Sequence, residues 1–253
     1  MQVENWDEIK QYFLESLEEE DIEYRSNPRF VRYNVTKIED RASQIINILR
    51  YYQESIGKQV DYNKILDIGA GIGGISYYIY KYFQAQKLVA ADISETNLRV
   101  VKNVANKDCQ SESVTTMYAD LNDLSFGDSS YDLILTIDSF HAVSNRENCL
   151  EKIYRFLNKD GIFFVRVVNG IFPLTLLVNI PLFTLIPIKK AKEFYTARKR
   201  QIAITGNRLP DPFSLAKAMK RVGFKDIKTY DKNAKDNGIR RYISFAFSLI
   251  GRK

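Results

Sequence analysis

The sequence has few of the residues that usually bind metals or form disulfides. It contains two cysteines, Cys109 and Cys149, without a C-x-x-C pair, and one histidine, His141. These three residues cannot build a disulfide scaffold or a zinc site of cysteine and histidine, and we expect no metal. Residues 1–20 lack the basic and apolar regions of a secretory signal. We therefore expect a cytoplasmic protein with reduced thiols.

The sequence also lacks a compact block of basic residues of the kind that binds nucleic acid, although its net charge is +6. The charge is uneven, because residues 1–24 hold nine acids and one base, whereas residues 189–253 hold eighteen bases and five acids. The bases are spread through apolar periodic segments, which favours an ordinary solvated surface. Nucleic acid is therefore a disfavoured partner.

The composition, 45% hydrophobic and 27% charged over 253 residues, suits a single globular domain. Apolar side chains at helical spacing predict helices over residues 6–20 and 39–55. Short apolar runs then alternate with helical patterns, which predicts βαβ units and a doubly wound α/β fold. The predicted strands are 64–68, 87–91, 113–118, 131–137 and 161–168.

A glycine-rich stretch follows the first predicted strand. Residues 67–74 read Asp-Ile-Gly-Ala-Gly-Ile-Gly-Gly. Ligands of doubly wound sheets bind beyond the carboxyl ends of the strands. Glycines at this point let backbone N–H groups approach a ligand at the start of a helix. The pattern G-x-G-x-x-G by itself also suits a dinucleotide.

Acidic residues accompany three successive predicted strand ends. Asp67 lies in the first strand, Asp92 ends the second and Asp120 follows the third. A carboxylate at Asp92 can accept hydrogen bonds from ribose hydroxyls, and Asp120 lies within reach of the amine of an adenine. One aspartate at a strand end is as often a turn residue, but three in succession favour a ligand site.

These motifs, in this order, resemble those of the class I S-adenosylmethionine-dependent methyltransferases, from about Lys64 to Lys253. The matching stretches are residues 66–73, 91–94, 119–121, 126–138 and 150–168. The resemblance implies a Rossmann-like sheet of seven strands in the order 3-2-1-4-5-7-6, with strand 7 antiparallel. It implies S-adenosyl-L-methionine as cofactor. It also implies a single domain with an N-terminal helical cap over the crevice (1–62), a cofactor-binding core (63–169), an apolar lid insertion (170–207) and a last helix with two strands (208–253). The residues we expect at this cofactor are Asp67, Gly69, Ala70, Gly71, Gly73, Asp92, Ile93, Asp120, Leu121, Thr136 and Ile137.

The candidates for chemistry follow the fourth predicted strand, in the sequence Asp138-Ser139-Phe140-His141. Methyl transfer from a sulfonium needs mainly positioning, and it needs a base only when the acceptor must lose a proton. We assign Asp138 and His141 as catalytic candidates, because histidine titrates near neutral pH. The alternative interpretation is structural: His141 caps the next helix or packs in the wall of the crevice. Tyr33 and Arg41 lie near a cofactor-covering segment, but no motif assigns them.

An apolar segment, residues 171–188, follows the fifth predicted strand. Pro173, Pro181 and Pro187 interrupt it, which disfavours a membrane-spanning helix. Two interpretations stay open: a lid packed on the sheet, or a peripheral membrane contact through residues 171–200. The apolar side chains predict a small, partly apolar acceptor that is methylated on oxygen or carbon. The segment is similar to those of enzymes that act on quinones, lipids or glycans.

Three alternative functions are kept. A short-chain dehydrogenase would use a Tyr-x-x-x-Lys pair, which occurs at Tyr77–Lys81 and Tyr195–Lys199, but the glycine spacing differs from that family. An RNA methyltransferase would fit the basic tail, but residues 138–141 lack an Asn-Pro-Pro-Tyr or Asp-Pro-Pro-Tyr motif. The third alternative is a noncatalytic cofactor-binding subunit that activates a partner.

Overall fold

The computed structural model describes residues 3–20, 35–125, 130–168, 210–231 and 246–253. The helices of this part are α1 (Trp6–Glu19), α2 (Ile38–Ile56), α3 (Gly74–Phe83), α4 (Glu95–Lys107), α5 (Arg146–Phe156) and α6 (Pro212–Val222). Its strands are β1 (Lys64–Ile68), β2 (Lys87–Asp92), β3 (Val114–Tyr118), β4 (Tyr131–Ile137), β5 (Leu157–Val168), β6 (Lys225–Tyr230) and β7 (Ala246–Arg252). The predicted helices and the alternation of strands with helices are confirmed.

The strands form one sheet with the order β3-β2-β1-β4-β5-β7-β6. Strands β1 to β5 run parallel, whereas β7 is antiparallel to both β5 and β6. This order and the direction of β7 confirm the prediction. Successive side chains of the central strands enter opposite cores: Ile65 packs on one side of the sheet and Leu66 on the other. Burial on both faces explains the continuous apolar runs.

Strand β5 begins earlier than predicted. It starts at Leu157, which pairs with Tyr131, and the register then shifts so that Ile162 pairs with Leu133. The residues between include Asp160, which has a positive φ of 64°. A predicted start at Gly161 is therefore wrong, because the chain enters the sheet through an irregularity that periodicity does not reveal.

The described N-terminal helices pack against α3 beside the sheet, and the expected cap over the crevice stays a prediction. The Trp6 ring of α1 meets Tyr78 of α3 edge-on, with 4.6 Å between centroids. A Cβ added to Gly74 of α3 would lie 2.4 Å from Ile38 Cδ1 of α2, so these two helices are in close contact. The apolar faces of α1 and α2 are buried in this layer, which stabilises the arrangement. Residues 21–34, which include Tyr33, lie outside the described residues.

The predicted lid, residues 170–207, also lies outside the described residues, together with the expected membrane contact through residues 171–200. None of the helices in the described ranges is long and apolar enough to cross a bilayer. Cys109 is exposed and Cys149 is buried, and both thiols are free.

Candidate functional site

The glycine loop between β1 and α3 is held against the end of β2 by backbone and side-chain hydrogen bonds. The N–H groups of Gly69 and Ala70 donate to the carbonyl of Ala91 at 2.8 and 3.0 Å. The N–H of Gly71 donates to Asp92 Oδ2 at 2.8 Å. The carboxylate of Asp92 therefore fixes the conformation of the loop in addition to facing the space beyond the sheet.

Two glycines of the loop have different surroundings. A Cβ on Gly69 would lie 2.4 Å from Ser139 Cβ, and the Ser139 hydroxyl donates to the carbonyl of Ile68 at 3.0 Å. The loop therefore touches the turn after β4, which leaves no room for a side chain at Gly69. A Cβ on Gly71 would meet no atom of the described residues within 4 Å. Both have positive φ, of 77° and 56°, which glycine adopts without strain.

A cleft of about 700 Å³ opens at the carboxyl ends of β1 to β4. Both catalytic candidates, Asp138 and His141, line it. The predicted cofactor residues that line it are Gly69, Asp92, Ile93, Asp120 and Leu121. The lining residues that the sequence analysis missed are Ser94, Asn97, Ala119, Asn122, Ser139, Ala142 and Ser144. Most of these residues follow a predicted residue by one to five positions. Extending the predicted site by five residues after each strand would therefore have included them.

Asp92 is positioned by the start of α4. Its Oδ1 accepts hydrogen bonds from the Ser94 N–H at 2.9 Å and from Asn97 Nδ2 at 3.4 Å. Ser94 is the N-cap of α4, and its side chain accepts from the Asn97 N–H. The side chain is oriented by these bonds, and Oδ2, which accepts from the Gly71 N–H, keeps a lone pair that can accept a further hydrogen bond. Asp92 is 8% exposed, on the side where it lines the cleft.

A hydrogen-bonded bridge joins the turn after β3 to the turn after β4. Asp120 Oδ1 accepts from the Asn122 N–H at 2.8 Å. Asn122 Oδ1 in turn accepts from the Ser144 N–H at 2.8 Å and from the Ser144 hydroxyl at 2.7 Å. This bridge makes one wall of the cleft and holds Asp120 at its edge.

Asp67 lies beneath the loop and does not line the cleft. It is 2% exposed, and its Oδ1 has no hydrogen-bond partner among the described residues. Burial raises the pKa of this carboxyl group from 3.8 to about 7, with a lowering contribution from the Ser76 side chain and a raising one from Asp92. Its contact with a cofactor stays a prediction.

The other predicted cofactor residues also lie outside the lining of the cleft. Ala70 and Gly71 belong to the loop, and Gly73 is the N-cap of α3. Thr136 is fully buried and pairs with Val165 in the sheet, while Ile137 packs against the core on the α3 side. The lining begins one residue later, at Asp138. Contacts of these five residues with a cofactor stay predictions.

Asp138 and His141 lie together at the mouth of the cleft. Asp138 has a left-handed backbone conformation, with φ of 58°, and its Oδ2 accepts a hydrogen bond from Arg41 Nη2 at 2.5 Å. Burial lowers the pKa of His141, while Asp138 raises it and Arg146 lowers it further. The lowered pKa means that the imidazole is neutral at neutral pH. A neutral imidazole can accept a proton.

The Tyr-x-x-x-Lys pair of the dehydrogenase alternative has a structural role at Tyr77–Lys81. The Tyr77 hydroxyl donates to Asp108 Oδ2 at 2.6 Å, and Lys81 Nζ donates to the same oxygen at 3.0 Å. These bonds tie α3 to the end of α4, and neither residue lines the cleft. The second pair, Tyr195–Lys199, lies outside the described residues.

Residues 66–165 match the methyltransferase domain family. The chain is similar to (S)-coclaurine N-methyltransferase of Thalictrum flavum subsp. glaucum, with 29% identity over 105 residues, 42% of this chain and 28% of that protein. It is also similar to the mitochondrial arginine-hydroxylase NDUFAF5 of Homo sapiens, with 30% identity over 129 residues, 47% of this chain and 35% of that protein. The chain thus spans about a third of the length of these relatives.

The fold is similar to that of phosphoethanolamine N-methyltransferase 2 of Haemonchus contortus in complex with S-adenosyl-L-methionine. The TM-score is 0.58 at 18% identity, over 83% of this chain and 52% of that one. At this identity the likeness concerns the fold alone. The sheet order, the loop held by Asp92 and the match over residues 66–165 together support a class I S-adenosylmethionine-dependent methyltransferase fold with S-adenosyl-L-methionine as cofactor.

Proposed function

We propose that the chain is a methyltransferase that binds S-adenosyl-L-methionine in the cleft and methylates an oxygen or carbon atom of a small, partly apolar acceptor. The observation that carries this proposal is Asp92, whose carboxylate holds the glycine loop through Gly71 and lines the same cleft as Asp120. When bound, the cofactor would supply an electrophilic methyl carbon, and S-adenosylhomocysteine would leave as the acceptor atom bonds to that carbon.

The described residues fit this cofactor chemically. Asp92 offers the free lone pair of its Oδ2 to a ribose hydroxyl, and Asp120 offers an acceptor to the amine of an adenine. Ile93 and Leu121 supply apolar surface for a flat base between these two acids. The open space in front of Gly71 leaves room for the methionine part beside the loop. Each of these features supports binding along the ends of β1, β2 and β3.

Asp138 and His141 flank the acceptor side of the cleft in this proposal. A hydroxyl or carbon acid must lose a proton as it is methylated, and neutral His141 can take that proton. Asp138 lies close enough to His141 to raise its pKa, so it favours the protonated imidazole that results. His141 thus accepts the proton and Asp138 stabilises it there. The in-line approach of the acceptor to the methyl group depends on the walls of the cleft.

The partly apolar nature of the acceptor rests on residues 171–188, which lie outside the described residues. The names of the two curated relatives refer to different chemistry, an N-methyltransferase and an arginine hydroxylase, so they do not select an acceptor. The cytoplasmic placement and the membrane contact through residues 171–200 stay predictions.

Binding of S-adenosylhomocysteine, measured by calorimetry, tests the cofactor site. We expect Asp92→Ala to weaken binding by about 1.5 to 3 kcal/mol, because charge-assisted hydrogen bonds are lost. This corresponds to a roughly tenfold to hundredfold higher Kd. Asp123→Ala is the matched control, because its side chain is 91% exposed at the rim of the same wall; its affinity should equal that of the wild type.

The alternatives give different results in the same assays. Binding of NAD(P) without binding of S-adenosylhomocysteine would contradict the proposal and favour a dehydrogenase. RNA binding that weakens steeply with added salt would favour an RNA methyltransferase. Cofactor binding with methyl transfer seen only in a partner's active site would favour a noncatalytic subunit.

A further inference from the structure

Two arginines surround the carboxylate of Asp138 beside the cleft. Arg41 of α2 donates to Asp138 Oδ2 at 2.5 Å, and Arg166 Nε of β5 lies 3.9 Å from Asp138 Oδ1. We call these three residues the Arg41–Asp138–Arg166 cluster. Two guanidinium groups and one carboxylate leave the cluster with one excess positive charge.

Arg166 is placed in this cluster by the sheet. In the β4–β5 ladder it pairs with Ile137, and its carbonyl accepts a hydrogen bond from the Asp138 N–H at 2.9 Å. Phe164, two residues earlier on the same face, lies in the apolar core. Arg166 therefore lies where this face of β5 passes from the apolar core to the edge of the cleft.

Arg166 has unused hydrogen-bonding capacity. Its side chain is 18% exposed, and burial lowers its pKa, while Asp138 raises it and Arg41 lowers it. A guanidinium has five N–H donors. Within the described part of the chain, the ion-pair contact of Arg166 is the one with Asp138, at a distance too long for a hydrogen bond. A largely buried charge with unused donors is costly, and a second anion would satisfy it.

We propose that the Arg41–Asp138–Arg166 cluster binds a carboxylate or phosphate group of the methyl acceptor. This inference rests on the proposed function, and it adds an anionic group to the partly apolar acceptor. Guanidinium groups bind both kinds of anion through paired N–H donors. Asp138 lines the cofactor cleft, whereas Arg166 lies one strand beyond β4. The anion therefore lies beside β4 on the side away from β2, which is the acceptor side of the cleft in the proposed function.

The methionine carboxylate of the cofactor is the other source of the same chemistry, and the experiment separates the two. The protein is saturated with S-adenosylhomocysteine and titrated with benzoate or inorganic phosphate at constant ionic strength. We expect saturable binding of the probe to the wild type. Arg166→Gln should weaken it about tenfold or more, and Arg166→Lys should weaken it less, because the charge is kept. The affinity for S-adenosylhomocysteine should stay unchanged in both variants.

The variant Asp138→Asn should change the affinity for the probe in the opposite direction. This variant removes the negative charge of the cluster, and asparagine suits the left-handed backbone at this position. We expect the probe to bind several-fold more tightly. Arg221→Gln is the control, because Arg221 pairs with Glu147 outside the cluster and should leave probe binding unchanged.

Three results would overturn the inference. The first is the absence of saturable probe binding to the wild type, and the second is an equal loss of probe affinity in Arg166→Gln and Arg221→Gln. The third is weaker binding of S-adenosylhomocysteine to Arg166→Gln, which would assign the cluster to the cofactor. If thermal unfolding shows that Arg166→Gln is not folded, the probe affinities of Arg166→Lys and Asp138→Asn decide the question. Failure of the wild type to bind S-adenosylhomocysteine would instead refute the proposed function, and the acceptor assignment with it.

Discussion

At the scale of single residues, the buried carboxyl group of Asp67 makes stability depend on pH. Its pKa is about 7 in the folded protein against an ordinary value of 3.8. Between these pH values the folded protein holds a proton on Asp67 that the unfolded chain has released. The contribution of Asp67 to the free energy of unfolding therefore falls as pH rises and levels off above about pH 7. Asp67→Asn stays neutral. We expect its free energy of unfolding, relative to the wild type, to increase by about 2 kcal/mol between about pH 5.5 and 8.5.

Urea denaturation without cofactor at the two pH values measures this difference. Asp123→Asn is the control, because an exposed carboxyl group should show no such change between the same pH values. An effect of Asp67→Asn that is constant with pH would show that Asp67 ionises with an ordinary pKa in the folded protein.

At the scale of secondary-structure elements, α1 is attached to the domain by aromatic side chains. Phe13 is fully buried, and its ring lies 5.9 Å from that of Tyr77 in α3. We expect Phe13→Ala to lower the free energy of unfolding by about 3 to 5 kcal/mol, because it leaves a cavity in this layer. Phe213→Ala in α6, where the ring is 57% exposed, should change it by less than about 0.5 kcal/mol.

Urea denaturation of both variants, followed by circular dichroism, measures these changes. If Phe13→Ala removed helical signal while the midpoint of the main transition stayed unchanged, α1 would unfold by itself. That result would contradict a single cooperative core that includes α1.

At the scale of the whole molecule, the two sides of the sheet at which its strands end have different roles. The carboxyl ends of β1 to β4 form the cleft, whereas the opposite edge holds ion pairs such as Lys58–Asp160 at 3.1 Å and Arg252–Asp226 at 2.7 Å. We expect S-adenosylhomocysteine to slow amide hydrogen exchange at the cleft edge, in residues 69–73, 92–97, 119–122 and 138–144. Exchange at the ion-paired edge should not change.

Hydrogen exchange followed by mass spectrometry measures this pattern. A second cavity, of about 470 Å³, lies between α5 and α6 and is lined in part by Arg146 and Arg221. Protection centred on residues 145–147 and 210–221 would place the ligand there and contradict binding at the ends of β1 to β3.

The sequence by itself determined α1, α2, the strands β1 to β4 and the ends of these strands where the cleft opens. The last helix and the strands β6 and β7 came from the resemblance to a family. Hydrophobic periodicity and glycine spacing operate within short windows, so β1, the glycine loop, Asp92 and Asp120 are all visible locally. The strand order followed from the resemblance to a family. The expected contacts of Thr136 and Ile137 with the cofactor stay predictions, and the cleft lining after β4 starts at Asp138.

The tertiary structure alone decided which distant residues meet. Arg41 and Asp138 are separated by 97 positions, and Arg166 reaches the same carboxylate from the neighbouring strand. Packing also decided that α1 and α2 lie beside α3 and α4, because their apolar faces favour the largest available buried surface. No periodicity within a segment encodes such choices, since they depend on contacts between segments that are far apart in the chain.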